Sequence, residues 1–302
     1  MNRQSIFAVM FKNRWYYVLL LPGLLYFTLF QLMPYAGLAI VFKDYSPVLG
    51  IRGSPWVGFK HFEDLIGGSD FSRLLVNTLL ISLYKLLFAF PVPIIFALLL
   101  NEVRKAMFKR FVQTITYFPH FLSWVVFGGL MVTFLTPSGV INDVLVLLGY
   151  EPINFLASTT YFRTILVVTE ALKTFGWGAI IYLAALTGID TSLYDAAMVD
   201  GASRWKQMSN ITLPGIMPTI ALMFIIQLGH VLDAGFEQVY VMSNPSVFSV
   251  ADIIDTYVYR MGLGKGNFSM ATAVGMFKGV VGFVLIITAN SLIRRLGQRG
   301  LW

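Results

Sequence analysis

Glu170, Lys173, Thr174 and Trp177 stand inside one long apolar run, and Gln227, His230 and Asp233 stand inside the next, with Glu237 one turn further on. Glu170 and Lys173 are three residues apart, which puts them on one face of a helix. Charged groups in an apolar membrane segment are costly unless they face the protein interior or water. Amide, imidazole and carboxylate groups beside an indole ring offer hydrogen bonds and a stacking face. A polyhydroxylated solute needs that combination, and Lys173 adds a cation for any carboxylate it carries. Two other readings fit the same residues. Glu170 could pair with Lys173 and only hold helices together, or Glu170, Lys173 and Asp233 could form an ion- or proton-coupling site. Lys85 and Lys278, also in apolar runs, read better as snorkelling or paired side chains.

Other chemistries are set aside early. There is no cysteine, so disulfides and thiolate metal sites are excluded. His61, His120 and His230 are far apart and give no ligand spacing, so no metal site is expected. No G-x-x-x-x-G-K-[ST] phosphate loop is present, and Gly262-Leu263-Gly264-Lys265-Gly266 has the wrong spacing. The chain is therefore not expected to hydrolyse ATP. An intramembrane enzyme finds no nucleophile motif and no paired histidines.

The elements that hold these residues follow from composition. Of 302 residues 57% are hydrophobic and 12% charged, about half the charge of an ordinary soluble domain. The bilayer is the expected solvent, and the expected fold is an all-α membrane protein. Six segments reach the roughly 20 apolar residues of a spanning helix: Trp15–Val41, Leu74–Leu100, Phe118–Leu135, Phe162–Leu186, Gly215–Phe236 and Phe268–Leu292. The first follows Arg3, Lys12 and Arg14 and is too long for a cleaved signal. The net charge of +7 reflects basic residues at span ends rather than affinity for nucleic acid. Arg104, Lys105, Lys109, Arg110, Arg204, Lys206, Arg294, Arg295 and Arg299 join the N-terminal cations on one side, the cytoplasmic one by the positive-inside rule. Both termini are then inside. Residues 1–14 form a cytoplasmic segment, 15–293 the transmembrane domain and 294–302 a cytoplasmic tail. Segments 43–73, 137–160 and 243–267 face outward, with Val140–Leu148 lying along the outer surface.

Between the fourth and fifth spans lies a polar stretch, 190–214. Ser192-x-x-Asp195 has capping-box spacing, Ser192 covering the open amides of a helix start. Gly201 can take positive φ and end that helix. A second short helix begins at Ala202–Met208, and Pro214 marks entry to the fifth span. Ala196, Ala197, Gly201 and Ala202 remove bulk from one surface, so a groove on a partner can approach the backbone. A plain linker with alanines for helix propensity is the alternative.

The run Asp195-Ala-Ala-x-x-Asp200-Gly201-Ala202, followed by Ile211-x-Leu213-Pro214 and Pro218, resembles the EAA loop of permease subunits of binding-protein-dependent ATP-binding-cassette importers. Six spans, the loop between the fourth and fifth, and Asn77-Thr78 early in the second agree with it. The SPWVGFKHFEDL and YFPHFLSW stretches look like the carbohydrate branch, which serves oligosaccharides and polysaccharide fragments. Asp195 stands where that family usually has Glu, and Met208 where an aromatic is common. The resemblance implies a type I importer permease fold. It implies ATPase coupling through Asp195, Ala196, Ala197, Asp200, Gly201 and Ala202, and sugar contacts in the spans flanking that loop. It also implies a second homologous permease, two partner ATPases that bind ATP and magnesium, an extracellular solute-binding protein and a bacterial cytoplasmic membrane. An ion-coupled secondary transporter is the competing class.

Overall fold

The structure, a computed structural model, describes residues 12–295. Most of the expected N-terminal segment 1–14 and tail 294–302, with Arg3 and Arg299, lies outside the described residues. Within them, six helical runs are long and apolar enough to cross a membrane: Arg14–Phe42, Phe71–Asn101, Trp124–Leu147, Phe162–Thr187, Arg204–Gly229 and Phe268–Leu292.

The fourth span is the axis of the bundle. It is the most buried of the six, 39% of its most apolar stretch against 6% for the first. Phe162 and Leu166 pack with Ile81, Val239, Val247 and Ile253 at one end. Ala179 and Tyr182 pack with Ala97 and Ile216 at the other. Small residues let its neighbours come close. A Cβ on Gly176 would collide with the Thr116 carbonyl oxygen of helix Ala106–Tyr117, and one on Gly178 would lie 3.2 Å from Pro93 Cβ. Only glycine fits the first crossing, where backbone meets backbone.

Two expected spans are broken. The third was expected to run unbroken over Phe118–Leu135. Instead Ala106–Tyr117 is a separate helix, Phe118–Phe121 is a 3-10 turn, and the helix resumes at Trp124 behind an N-cap, with Ser123 Oγ accepting from Val126 N–H. Pro119 lacks an N–H, and Ser123 offers the chain a fresh start. Beyond Leu135 a turn at 136–139 leads into helix Val140–Leu147. Asn142 ties it down by donating to the Thr136 and Ile153 carbonyls.

The fifth span was expected over Gly215–Phe236. It begins earlier, at Arg204, and ends at Gly229. Pro214 does not break it, because the ladder widens into a π-turn over Met208–Thr212 just before the residue that cannot donate. The early end comes at 230–235. Gly235 takes φ 90°, and a new helix runs Phe236–Met242. Residues 243–267 then fold back over the bundle. The Asn77 amide donates to the Ser249 and Asp252 carbonyls, and Arg163 donates to Asn77 Oδ1 and the Val250 carbonyl.

Candidate functional site: a polar cavity and a cytoplasmic foot

The break in the fifth span opens a cavity of about 350 Å³ against the second and fourth spans. Glu170, Thr174, Gln227, His230 and Asp233 line it, with Ser82 and Lys85. Apolar walls come from Phe90, Pro93, Met223 and Ile226. Because the helix ends at Gly229, Gln227, His230 and Asp233 do not share a helical stripe. Gln227 is on the helix, His230 caps it and Asp233 is in the turn beyond.

The Glu170–Lys173 pair, the alternative to a substrate path, is not formed. Glu170 instead accepts from Lys85 Nζ at 3.1 Å. Lys85 also donates to the Ala234 carbonyl at 2.8 Å and to Gln238 Oε1 at 2.5 Å. Gln238, fully buried, passes the network on by donating to the Leu166 carbonyl and Thr169 Oγ1. A buried ammonium is tolerable only with its hydrogen bonds filled and an opposite charge at hand. These contacts supply both, and they hold the 234–238 turn against the second and fourth spans. Lys85 begins a π-turn over Lys85–Ala89, the kind of local widening that re-aims a side chain. Ser82 Oγ, buried on the same wall, has no protein partner among the described residues.

Lys173 and Trp177 serve a different place. Lys173 Nζ donates to the His120 carbonyl at 3.0 Å and the Pro119 carbonyl at 3.4 Å, filling acceptors left open by the break in the third span. It also lies 5.4 Å above the Trp124 ring. Trp177 stacks face to face on His120, centroids 4.6 Å apart. Neither residue lines the cavity. Thr174 does, though its hydroxyl donates back to the Glu170 carbonyl.

Sequence reasoning ranked Lys85 and Lys278 below the fourth-span set, and it missed Gln238. The signal for Lys85 was its charge in an apolar run, but its partners come from 85 and 149–153 residues away.

The second region is the stretch after the fourth span. Helix Thr191–Val199 has no buried residue. Its N-cap is Asp190, not Ser192: Asp190 Oδ1 accepts from Ser192 N–H at 2.9 Å. That bond holds the Asp190 carboxyl below its usual range. The helix ends in a Schellman motif. Ala202 N–H donates to the Ala197 carbonyl and Gly201 N–H to the Met198 carbonyl, with Gly201 at φ 70°. Ser203 Oγ then caps Arg204–Gln207, which runs without interruption into the fifth span. The element is thus one free-standing helix and one that is the tip of a membrane helix, rather than two helices hung between spans. Asp195, Ala196, Asp200 and Gly201 are exposed, while Ala197 and Ala202 are half-buried at the turn. Apolar knobs missed by the sequence reading stand out around them: Leu193, Met198, Val199 and Trp205, with Val199 89% exposed. Exposed apolar side chains on a charged element fit contact with another protein or with the membrane surface. Arg204 reaches Glu102 at the end of the second span, 3.0 Å away, and Tyr194 meets Thr212 across the turn, so the foot is braced to the bundle.

Six apolar crossings, three of them walling a polar cavity, with a braced polar element after the fourth, describe a polytopic membrane protein. The chain belongs to the family of binding-protein-dependent transport system inner membrane components, whose model matches residues 89–299. It is 49% identical to Protein LplB of Bacillus subtilis (strain 168), over 99% of this chain and 94% of that one. It is 46% identical to the polygalacturonan/rhamnogalacturonan transport system permease protein YteP of the same organism, over all of this chain and 94% of YteP. A chain of the bacterial alginate ABC transporter, solved with an alginate pentasaccharide-bound periplasmic protein, superposes with a TM-score of 0.91 at 40% identity. That match covers 99% of this chain and all of that one. This is a multi-pass inner-membrane permease of the ATP-binding-cassette importer class, and ion-coupled secondary transport is set aside.

Proposed function

We propose that this permease forms one half of the pore of an ATP-driven importer for oligosaccharides or polysaccharide fragments, working by alternating access. The other half is a second, homologous permease. Two ATPase subunits, which bind ATP and magnesium, dock at the foot, and an extracytoplasmic solute-binding protein delivers the cargo from the other side. Both termini are then cytoplasmic, with the transmembrane domain spanning 15–293. The exposed, braced helix Thr191–Val199 carries this reading. Asp195, Ala196, Ala197, Asp200, Gly201 and Ala202 form the coupling contact, ringed by Leu193, Met198, Val199 and Trp205. Glu170, Thr174, Gln227, His230 and Asp233 form this chain's wall of the substrate path. Lys173 and Trp177 shape its edge by holding the break in the third span. Saccharide cargo is supported by the polygalacturonan/rhamnogalacturonan and alginate systems to which the chain is similar, and by a cavity that mixes hydrogen-bonding groups with apolar walls.

The test is uptake by the four-subunit assembly in proteoliposomes, with a labelled oligogalacturonide and a labelled neutral xylo-oligosaccharide as probes. Uptake of at least one should require ATP inside and loaded binding protein outside. Uptake that follows a proton gradient without ATP would overturn the proposal.

A further inference from the structure

The break in the fifth span is held by two lysines on different spans. Lys85, on the second, holds Ala234 and Gln238. Lys278, on the sixth, holds Asp233 at 2.5 Å and Asp255 at 2.7 Å. His230 Nδ1 also pairs with Asp233, at 2.8 Å. Asp255 belongs to neither broken span. It sits on helix Ile254–Tyr259, within the outward-facing segment 243–267. One ammonium, 17% exposed, therefore joins the turn lining the cavity to the segment folded over the bundle.

The contacts around this joint place it directly between the end of the fifth helix and segment 243–267. At Gly229 the fifth and sixth spans touch closely: a Cβ there would lie 2.7 Å from Ile286 Cδ1, and one on Gly282 would lie 3.2 Å from the Gly229 carbonyl oxygen. The Ile286 side chain seats on Gly229 and Gly282 meets the Gly229 carbonyl, so the end of the fifth helix is held closely against the sixth span just before the turn. Gly235 gives the turn a swivel that no other residue supplies cheaply. Lys278 has carboxylates on both sides, so losing either still leaves the ammonium paired. Segment 243–267 is also braced within itself and tied to the second span. Asp252 takes a two-point ion pair from Arg260, at 2.7 and 3.2 Å, and its backbone carbonyl accepts from Asn77.

We infer that Lys278 couples segment 243–267 to the turn at 230–235, so that docking of the loaded extracytoplasmic protein on that segment is transmitted to the cavity. This rests on the importer reading above. Lys278 and Asp255 act here as positioning residues, biasing where the turn sits without touching cargo. Coupling between two sites needs a shared element that both sites bias, and the Lys278 joint is the element they share here.

The experiment is ATPase activity of the reconstituted four-subunit assembly, with and without loaded binding protein. In Asp255→Asn the basal rate should stay within about twofold of wild type. Stimulation by the loaded protein should fall about fivefold or more, the low end of ordinary site–site coupling. Asp255→Glu, which keeps the charge, should restore most of it. Stimulation in Asp255→Asn equal to wild type overturns the inference and leaves the importer reading standing. No stimulation of the wild type overturns both. A second measurement needs no variant: hydrogen exchange at 230–238 in the wild-type assembly should change when loaded protein binds. Unchanged exchange there, alongside protection at 243–267, would equally refute it.

Discussion

The cavity and the foot use opposite physics. At the cavity the charges are answered from within the chain: Lys85 by Glu170 and two oxygen acceptors, and Asp233 by Lys278 and His230. At the foot the chain leaves surface unanswered, with no residue of Thr191–Val199 buried and Val199, Met198 and Trp205 standing out. An internally satisfied region holds its own shape. An unsatisfied one is shaped to be completed by something else. The comparison predicts that damage at the cavity reads first as lost stability, and damage at the foot reads first as lost coupling.

The largest effect should come from Lys85→Met. It strands Glu170, the Ala234 carbonyl and Gln238 Oε1, and breaking one side of a buried pair costs about 3–5 kcal/mol. Thermal unfolding of the purified chain in detergent should show it, and adding Glu170→Gln should recover part. An unchanged midpoint would mean water answers these groups and the cavity is not self-sufficient. Gly176→Ala comes next. Its new methyl meets the Thr116 carbonyl, and such overpacking costs about 1–3 kcal/mol in the same assay.

Gly201→Val sharpens the other side of the contrast. Nothing lies within 4 Å of a Cβ there, so the cost is backbone strain at φ 70°, about 1–2 kcal/mol, confined to the turn. The unfolding midpoint should move little while ATP-driven uptake falls about tenfold or more, the size of an ordinary coupling loss. Equal losses in both would make the foot structural. Trp177→Ala should cost about 1 kcal/mol of stability by removing the stack on His120. Any drop in uptake beyond what that explains would put Trp177 in the path after all.

The smallest effect concerns the Asp190 cap. Its carboxyl pKa is lowered in the folded chain, chiefly by the Ser192 N–H bond. The cap's contribution is therefore present above the ordinary carboxylate range and lost as pH falls through the lowered folded value. The protection of the Ser192 amide, its exchange rate taken relative to the intrinsic rate at each pH, should fall on acidification, and Asp190→Ala should remove that change in protection.

Much of this was legible in the chain. Six apolar runs gave the spans, and the ordered small and acidic residues from Asp195 to Ala202 gave the foot, because helix length, hydropathy and turn chemistry are local. The breaks were less legible. Pro119 and Pro214 are both prolines in or before expected spans, yet only the first interrupts its helix, since a widened π-turn absorbs the second. Gly229 and Gly235 lie inside the expected fifth span, yet they end one helix and turn the chain.

Pairing was the least legible. Glu170 and Lys173 are ideal neighbours by spacing, and tertiary structure gave each a different partner. The sequence by itself determined that this chain lives in a bilayer, how many times it crosses, and where a polar element stands between the fourth and fifth spans. Those traits depend on short stretches acting alone. Only the tertiary structure decided which charges meet and where the cavity opens. An ammonium in a low-dielectric interior takes whichever acceptors packing brings within 3 Å, and those come from residues far along the chain.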